Sequence, residues 1–128
     1  MKKLIIGLIV LSAFSCEQSD TKKSNMEQAR IIEMVLWKSV DGIGPKKAKE
    51  SITKLNDFVS RQPGFVARKT ALAEDGKFLD IVYWTDLKSA KDASEKAMKT
   101  EELMPIFSTI DQKEMAFQHF EIFNGIEK

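Results

Sequence analysis

Apolar and polar positions divide the first half of the chain into a strand-like and a helix-like segment. Residues 31–37 are dense in β-branched and large apolar side chains and are followed by Asp41-Gly42, which predicts a strand and its turn. Gly44-Pro45 then begins a segment with helical periodicity, because proline is favoured at the first helical position. Its apolar residues recur at spacings of four, three and four: Ala48, Ile52, Leu55 and Val59. We therefore predict one amphipathic helix after the first strand.

Pro63-Gly64 ends that helix and leads into a predicted hairpin. Residues 65–73 and 78–84 are extended in pattern, and the turn signal Glu74-Asp75-Gly76-Lys77 lies between them. The pattern predicts two further strands, paired through a tight turn.

The last third of the chain predicts a second helix, a short helical turn and a final strand. Asp86 is suited to cap the second helix, whose narrow apolar face consists mainly of small residues. These are Leu87, Ala90, Ala93 and Ala97. Pro105 predicts a separate short helix rather than a continuation. Residues 115–123 are rich in aromatic side chains and predict the last strand.

This order of elements is the split βαβ arrangement of α+β, ferredoxin-like folds, in which the helices cover one face of the sheet. The strands are apolar on both faces. In the first strand Ile32, Met34 and Leu36 alternate with Ile31, Val35 and Trp37. A sheet with one face in water alternates between apolar and polar residues. We therefore expect a second copy of the chain to cover the free face, giving a homodimer.

Residues 1–15 have the pattern of an export signal. Lys2 and Lys3 precede an apolar run that is shorter than the roughly 20 residues needed to span a bilayer. The run ends at Cys16, and residues 11–16 resemble the lipobox of bacterial lipoproteins, although Ala13 replaces the usual leucine. The resemblance implies a lipid on Cys16 and a cell-envelope protein on the exported side of a bacterial membrane, periplasmic or at the surface. An ordinary secretory signal or an uncleaved anchor is the alternative.

Composition narrows the choice of partners and cofactors. The 20 lysine and arginine residues are balanced by 19 aspartate and glutamate residues, so we expect no nucleic-acid partner. Residues 17–25 contain no apolar side chain and predict a flexible tether before a single domain at 26–128. With Cys16 lipidated, no thiol remains for disulfides or zinc clusters. We therefore predict no metal site, since the chain also has only one histidine.

Several short motifs between residues 30 and 124 carry a family resemblance. They are Gln62-Pro63-Gly64-Phe65, the Asp75-Gly76 hairpin, Ile81-Val82-Tyr83-Trp84, Asp86 before the alanine-rich helix, and His119-Phe120. In these the chain resembles the antibiotic biosynthesis monooxygenase-like proteins, which are dimeric α+β barrels. That fold hosts cofactor-independent oxygenases, haem-degrading enzymes, isomerases and proteins of no known activity, so it does not determine the chemistry.

The likeness to the cofactor-independent oxygenases implies a small phenolic or quinol substrate whose deprotonated form reacts directly with dioxygen, without a cofactor. It implies His119 as the base, since histidine accepts protons near neutral pH. It further implies Trp37 and Trp84 as walls of an apolar slot, and Arg68 or Glu121 as orienting groups. The alternative is that His119 is a hydrogen-bonded structural residue and that both tryptophans belong to the core.

Two other functions are compatible with the same fold. A haem protein with His119 as proximal ligand is disfavoured, because the haem-degrading branch carries its histidine and a tryptophan on the helix after the third strand. Residues 87–110 contain neither. A non-catalytic dimeric module of the cell envelope, which binds a small apolar or aromatic molecule or another protein, is the remaining alternative. A cleft beside His119 would favour catalysis or ligand binding, whereas burial in a dimer seam would favour a structural role.

Overall fold

A computed structural model of the protein describes residues 25–128. The export signal, Cys16 and most of the tether lie outside the described residues. Four antiparallel strands form one sheet in the order β2-β3-β1-β4. Their bounds are β1 (Ile31–Trp37), β2 (Phe65–Leu72), β3 (Phe78–Trp84) and β4 (Ala116–Glu121). None of the helices in residues 25–128 has both the length and the apolar character to cross a membrane.

Within residues 25–128 four α-helices and two short 3-10 helices, Glu101–Leu103 and Gln112–Glu114, connect the strands. The order of the elements confirms the predicted split βαβ, ferredoxin-like fold. The bounds of the α-helices are α1 (Pro45–Thr53), α2 (Leu55–Val59), α3 (Leu87–Met98) and α4 (Met104–Phe107). Asp86 caps α3 as predicted, because its Oδ1 accepts a hydrogen bond of 2.8 Å from the backbone N–H of Ser89. Pro105 lies in the first turn of α4, which is a separate short helix as expected.

The single helix predicted after β1 is in fact two helices, so that prediction was wrong. The break falls at Lys54, whose backbone N–H makes a tight bond of 3.1 Å to the carbonyl of Ser51. The guanidinium of Arg68 donates from Nη1 to the carbonyl of Ile52 at 3.1 Å and to Oδ1 of Asn56 at 2.8 Å. A buried side chain on β2 therefore bonds to both helices at the break, which apolar periodicity alone does not reveal.

The inner face of the sheet, covered by the helices, carries two separate apolar clusters. One cluster centres on Trp37 and Phe78, whose rings stack at 4.4 Å, and it includes residues of α1 and α4. The other centres on Trp84 and Val82 and packs against Ala90 and Ala93 of α3. Small residues on α3 let this helix lie close to the sheet, as its predicted apolar face implied.

Gly64 is the point at which the turn before β2 meets the start of α3. Its φ is +78°, and a Cβ placed there would lie 2.5 Å from the Ser89 side chain and 2.8 Å from Oγ1 of Thr85. Only glycine satisfies both the left-handed backbone and this close approach. The Pro63-Gly64 signal thus marks a packing contact as well as the end of a helix.

The outer face of the sheet is apolar, and no helix of residues 25–128 lies over it. Its half-buried side chains come mainly from the two central strands: Ile32, Met34, Leu36, Leu79, Ile81 and Tyr83. Phe120 on β4 is on the same face and is 41% exposed. The structure thus confirms the two-sided apolar pattern of the sequence, because alternate residues of β1 lie on opposite faces of the sheet and both faces are largely apolar.

Candidate active site

A cavity of about 450 Å³ lies between the inner face of the sheet and the helices. Most of its lining is apolar, with aromatic side chains at both ends and on β4: Trp37, Phe58, Trp84, Phe107 and Phe117. Six polar residues also line it: Glu33, Arg68, Asp80, Ser94, Glu95 and Gln112. An apolar enclosure of this size with a few converging polar groups is typical of a small-molecule site.

Strand register places the polar residues in the middle of the sheet. Glu33 on β1 faces Val82 on one side and His119 on the other, and Val82 in turn faces Arg68. One row across all four strands thus reads Arg68, Val82, Glu33, His119. Asp80 occupies the next inner position along β3. The charged groups therefore separate the two apolar clusters and border the cavity between them.

Glu33 and His119 are joined by a direct hydrogen bond of 2.9 Å between Oε2 and Nε2. The same Oε2 lies 2.9 Å from Oγ of Ser94, and that hydroxyl is also 3.0 Å from the carbonyl of Ala90. The single hydrogen of Ser94 can therefore bond to the carboxylate or to the backbone. In the second case the hydroxyl oxygen is free to accept a hydrogen bond from the O–H of a neutral Glu33.

Burial raises the pKa of Glu33 above its ordinary value of 4.5. The hydrogen bonds from His119 and Ser94, together with any positive charge on His119, oppose this shift, whereas the negative charge of nearby Asp80 adds to it. The side chain is only 10% exposed. A carboxyl group in this setting accepts a proton more readily than an ordinary glutamate, so it is a stronger base.

Arg68 and Asp80 form a buried, bidentate ion pair at the other side of the cavity. Nε of Arg68 donates to Oδ1 at 2.9 Å and Nη2 donates to Oδ2 at 2.6 Å. The side chains are 3% and 10% exposed. With its third nitrogen bonded to α1 and α2, the guanidinium is committed to structure, and it separates the cavity from a shallow depression beside Asn56 and Ser60.

The two tryptophans occupy opposite ends of the cavity, where both line it and both belong to an apolar cluster. Trp84 also packs edge-on against Phe65, at 6.1 Å between ring centroids. Its Nε1 is buried and has no hydrogen-bond acceptor among residues 25–128. Both tryptophans thus belong to the core and border the cavity, and their role as walls of a substrate slot stays a prediction.

His119 lies on the inner face, on the side of the helices and away from the outer apolar face. It is therefore not sealed in a sheet-to-sheet seam, but it does not line the cavity either. Glu33 lies between His119 and the cavity. The structure thus brings His119 to the edge of the same site as Trp37, Trp84 and Arg68.

Glu121 is exposed at the end of β4, opposite Ile31, and does not line the cavity. The site residues that sequence reasoning missed are Glu33, Asp80 and Ser94. For the two carboxylates a signal existed, since each interrupts an otherwise apolar inner face of its strand.

No cluster of three potential metal ligands occurs within residues 25–128.

No protein-family model matches the sequence, and no curated protein matches it significantly. Solved structures do match. A variant of SnoaB, a cofactor-independent oxygenase from Streptomyces nogalater, is 19% identical with a TM-score of 0.59, covering 78% of this chain and all of its own. The chain shares its fold.

Two further structures are similar over most of their length. A monooxygenase from the gene ActVA-Orf6 of Streptomyces coelicolor, in complex with nanaomycin D, is 12% identical with a TM-score of 0.62, covering 80% of this chain and 95% of its own. A dimeric ferredoxin-like protein from an uncultured marine organism is 7% identical with a TM-score of 0.61, covering 83% and 98%. At these identities the likeness establishes the fold alone.

The raised pKa of Glu33 predicts how stability depends on pH. Folding favours the neutral form of Glu33 relative to the unfolded chain, so the stability that its proton contributes is present below pH 4.5 and is lost as pH rises through the folded pKa. Glu33→Gln keeps the shape without the charge. We expect the free energy of unfolding of the variant to exceed that of the wild type by on the order of 1 kcal/mol at pH about 8. The difference should be smallest near pH about 4.

Urea unfolding of both proteins across this pH range measures the effect. Glu74→Gln, which changes an exposed carboxylate at the hairpin turn, is the matched control and should leave the pH profile unaltered. A stability difference between Glu33→Gln and wild type that does not grow with pH would contradict the assignment.

Proposed function

We propose that this protein is a cofactor-independent monooxygenase that oxidises a small phenol or quinol in the cavity above the sheet. The observation that carries the proposal is a buried carboxyl group of raised pKa, Glu33, at the wall of an apolar cavity large enough for one aromatic molecule. Its fold is also that of proteins described as a cofactor-independent oxygenase and as a monooxygenase.

Glu33 acts as the general base in this proposal. It lines the cavity, so its carboxylate contacts the substrate hydroxyl and removes the proton, leaving an electron-rich phenolate. Proton transfer to a positioned side chain of this kind contributes roughly 100- to 10,000-fold to a rate. The role that the sequence predicted for His119 thus moves to its hydrogen-bonded partner.

Electrons for the reaction come from the substrate itself. Dioxygen adds to a ring carbon of the phenolate, forming a carbon–oxygen bond, and the hydroperoxide then loses water as its O–O bond breaks. The ring carbon loses its hydrogen, so a phenol and dioxygen yield a quinone and one water molecule. The proton held by Glu33 leaves with that water, which returns the carboxylate to its starting form.

His119 and Ser94 are positioning residues for Glu33. Both bond to Oε2 at 2.9 Å, which leaves Oε1 without a hydrogen bond among the described residues. Ser94 can also accept a hydrogen bond from the O–H of a neutral carboxyl group while it donates to the carbonyl of Ala90, so Glu33 stays hydrogen-bonded in either charge state. Arg68 holds Asp80 and keeps a second negative charge from standing unpaired beside the base.

Oxygen uptake with a panel of small quinols and naphthols tests the proposal. We expect turnover by the wild type and a fall in kcat of about 100-fold or more for Glu33→Gln, because the amide cannot accept the proton. His119→Gln should lower kcat less and shift its pH profile, since it changes the environment of the base. Glu121→Gln is the matched control, and its exposed position predicts unchanged kcat.

Two results would count against this function. Full oxygen uptake by Glu33→Gln would remove Glu33 from the mechanism. Tight binding of the aromatic probes without uptake by the wild type would favour the second candidate, a non-catalytic module that binds a small molecule. The apolar cavity by itself is equally suited to that role.

We also propose that the protein is a homodimer closed through the outer faces of two sheets. The support is an apolar face on the central strands that no helix of the described part of the chain covers, since such a patch marks an interaction surface. A protein of the same fold is described as dimeric. Sheet-to-sheet contact would bury Met34 and Ile81, which face each other at the centre of the face.

Light scattering after size exclusion should give twice the mass of one chain for the wild type. Ile81→Lys should yield monomers, because a lysine at the centre of the interface would bury an unpaired charge. Thr70→Lys, on the opposite face of the sheet, is the matched control and should stay dimeric. A monomeric wild type, or a dimeric Ile81→Lys, would contradict the proposed interface.

Membrane attachment through a lipid on Cys16 is the last part of the proposal, and its support is the sequence pattern of residues 1–16. It would hold the domain at the exported side of a bacterial membrane by the tether of residues 17–25. Acyl chains on Cys16 supply the two signals that stable anchoring requires.

Metabolic labelling with an alkyne fatty acid tests the anchor. The wild type should carry label and sediment with membranes, whereas Cys16→Ser should lose both. Ser19→Ala, in the tether, is a control that should keep the label. Label that persists in Cys16→Ser would refute lipidation at this cysteine.

A further inference from the structure

The cavity reaches the protein surface between the end of α3 and the start of β4, and its mouth there is apolar. Three large apolar side chains line the cavity and are also well exposed: Met98 at 60%, Met115 at 40% and Phe117 at 46%. Met98 is the last residue of α3, Met115 directly precedes β4, and Phe117 belongs to β4. The apolar lining of the cavity therefore continues outward to the surface.

The place of β4 at the edge of the sheet explains this opening. α3 packs against β1 and β3, so the inner side of β4 is only partly covered. Phe117 faces Val35 on that side and meets the ring of His119 edge-on, at 5.1 Å between ring centroids. The mouth thus lies beside the hydrogen-bonded pair of His119 and Glu33.

The exposed side chains at the mouth indicate the shape of the molecule that binds. A compact phenol would fit inside the cavity and leave all three apolar side chains in water. An apolar substituent that continues out of the cavity would cover them, and apolar patches of this kind mark ligand-binding grooves. Methionine suits such a role, because its unbranched side chain adapts to a flexible guest.

The charges around the cavity indicate that the substituent is neutral. Arg68 is the one cation among the described residues that line it, and Asp80 engages two of its nitrogens. Glu33 and Glu95 add carboxyl groups to the same lining. The carboxylate of a fatty acid would add negative charge to this acidic surface. A hydrocarbon chain without charge fits better.

We propose that the substrate is a phenol or quinol with a neutral aliphatic chain, and that the chain leaves the cavity across Met98, Met115 and Phe117. This inference rests on the proposed function for the ring hydroxyl, which meets Glu33, but the chain site concerns binding alone. A molecule of this kind partitions into membranes, which agrees with the lipid anchor proposed at Cys16.

A series of para-alkylphenols from para-propylphenol to para-heptylphenol tests the chain site. Dissociation constants are measured under nitrogen for the wild type and for three variants: Met98→Gln, Met115→Gln and Met104→Gln. We expect the wild-type affinity to rise about twofold per methylene, half the free-energy gain of a fully buried one, because the mouth is half exposed. Partitioning of the probes into lipid or detergent is the same for every variant and cancels in the comparison.

The variants at the mouth should lose part of this gain. Glutamine has the length of methionine but places polar atoms against the chain, so Met98→Gln and Met115→Gln should each lower the gain from propyl to heptyl about two- to threefold. Met104→Gln is the matched control. Met104 is 37% exposed on α4 but does not line the cavity, so this variant should keep the wild-type gain.

Four results would overturn the proposal. They are an equal gain in all four proteins, no binding of any probe to the folded wild type, binding of decanoate as tight as that of para-heptylphenol, and a lower oligomer mass for Met98→Gln in light scattering. The last would show that a second copy of the chain covers the mouth. Oxygen uptake without any dependence on chain length would sink this inference alone, whereas chain-dependent binding without uptake would sink the proposed function alone.

A second measurement observes the mouth in the unaltered protein. The chain has six methionines, and the same substitutions assign the methyl resonances of three of them. The carbon-13 methyl resonances of Met98 and Met115 should shift more with para-heptylphenol than with para-propylphenol, while that of Met104 stays in place. Shifts that do not depend on chain length would contradict the proposed path of the chain.

Discussion

Burial of charge on the inner face of the sheet is the constraint on which the rest of the structure depends. Glu33, Arg68 and Asp80 all lie beneath the helices, where an unpaired charge is prohibitively costly. The bidentate Arg68–Asp80 pair and the added bonds to Ile52 and Asn56 satisfy almost every donor and acceptor of that pair. Charged side chains occupy the middle of the inner face of the sheet, so apolar side chains form two separate clusters at its ends. The cavity lies between these clusters.

The same constraint sets the chemistry that the cavity can support. Arg68 is bonded to Asp80, whereas Glu33 is held by His119 and Ser94, and its burial raises its pKa. Apolar walls exclude water from an aromatic guest, which strengthens each polar contact within. Of the carboxyl groups that line the cavity, Glu33 is thus the one whose pKa burial raises.

Local patterns predicted most of the fold because its elements follow ordinary rules. β1 was predicted over the residues it occupies, and the Asp86 cap and the Pro105 break are both confirmed. The split of the first helix at Lys54 was missed because a distant side chain, Arg68, bonds to the helix there. β4 ends at Glu121, two residues short of its predicted end. The site was predicted only in part, since the Glu33–His119 pair depends on strand order and register across 86 positions of sequence.

The central claim is that Glu33 is a buried base whose proton affinity is raised at the cavity wall. The most direct measurement is the carbon-13 shift of its side-chain carboxyl group against pH, assigned by comparison with Glu33→Gln. The account predicts a titration midpoint above the ordinary 4.5 that rises further when an aromatic ligand excludes water from the cavity. A midpoint at or below 4.5, unmoved by ligand, would contradict it.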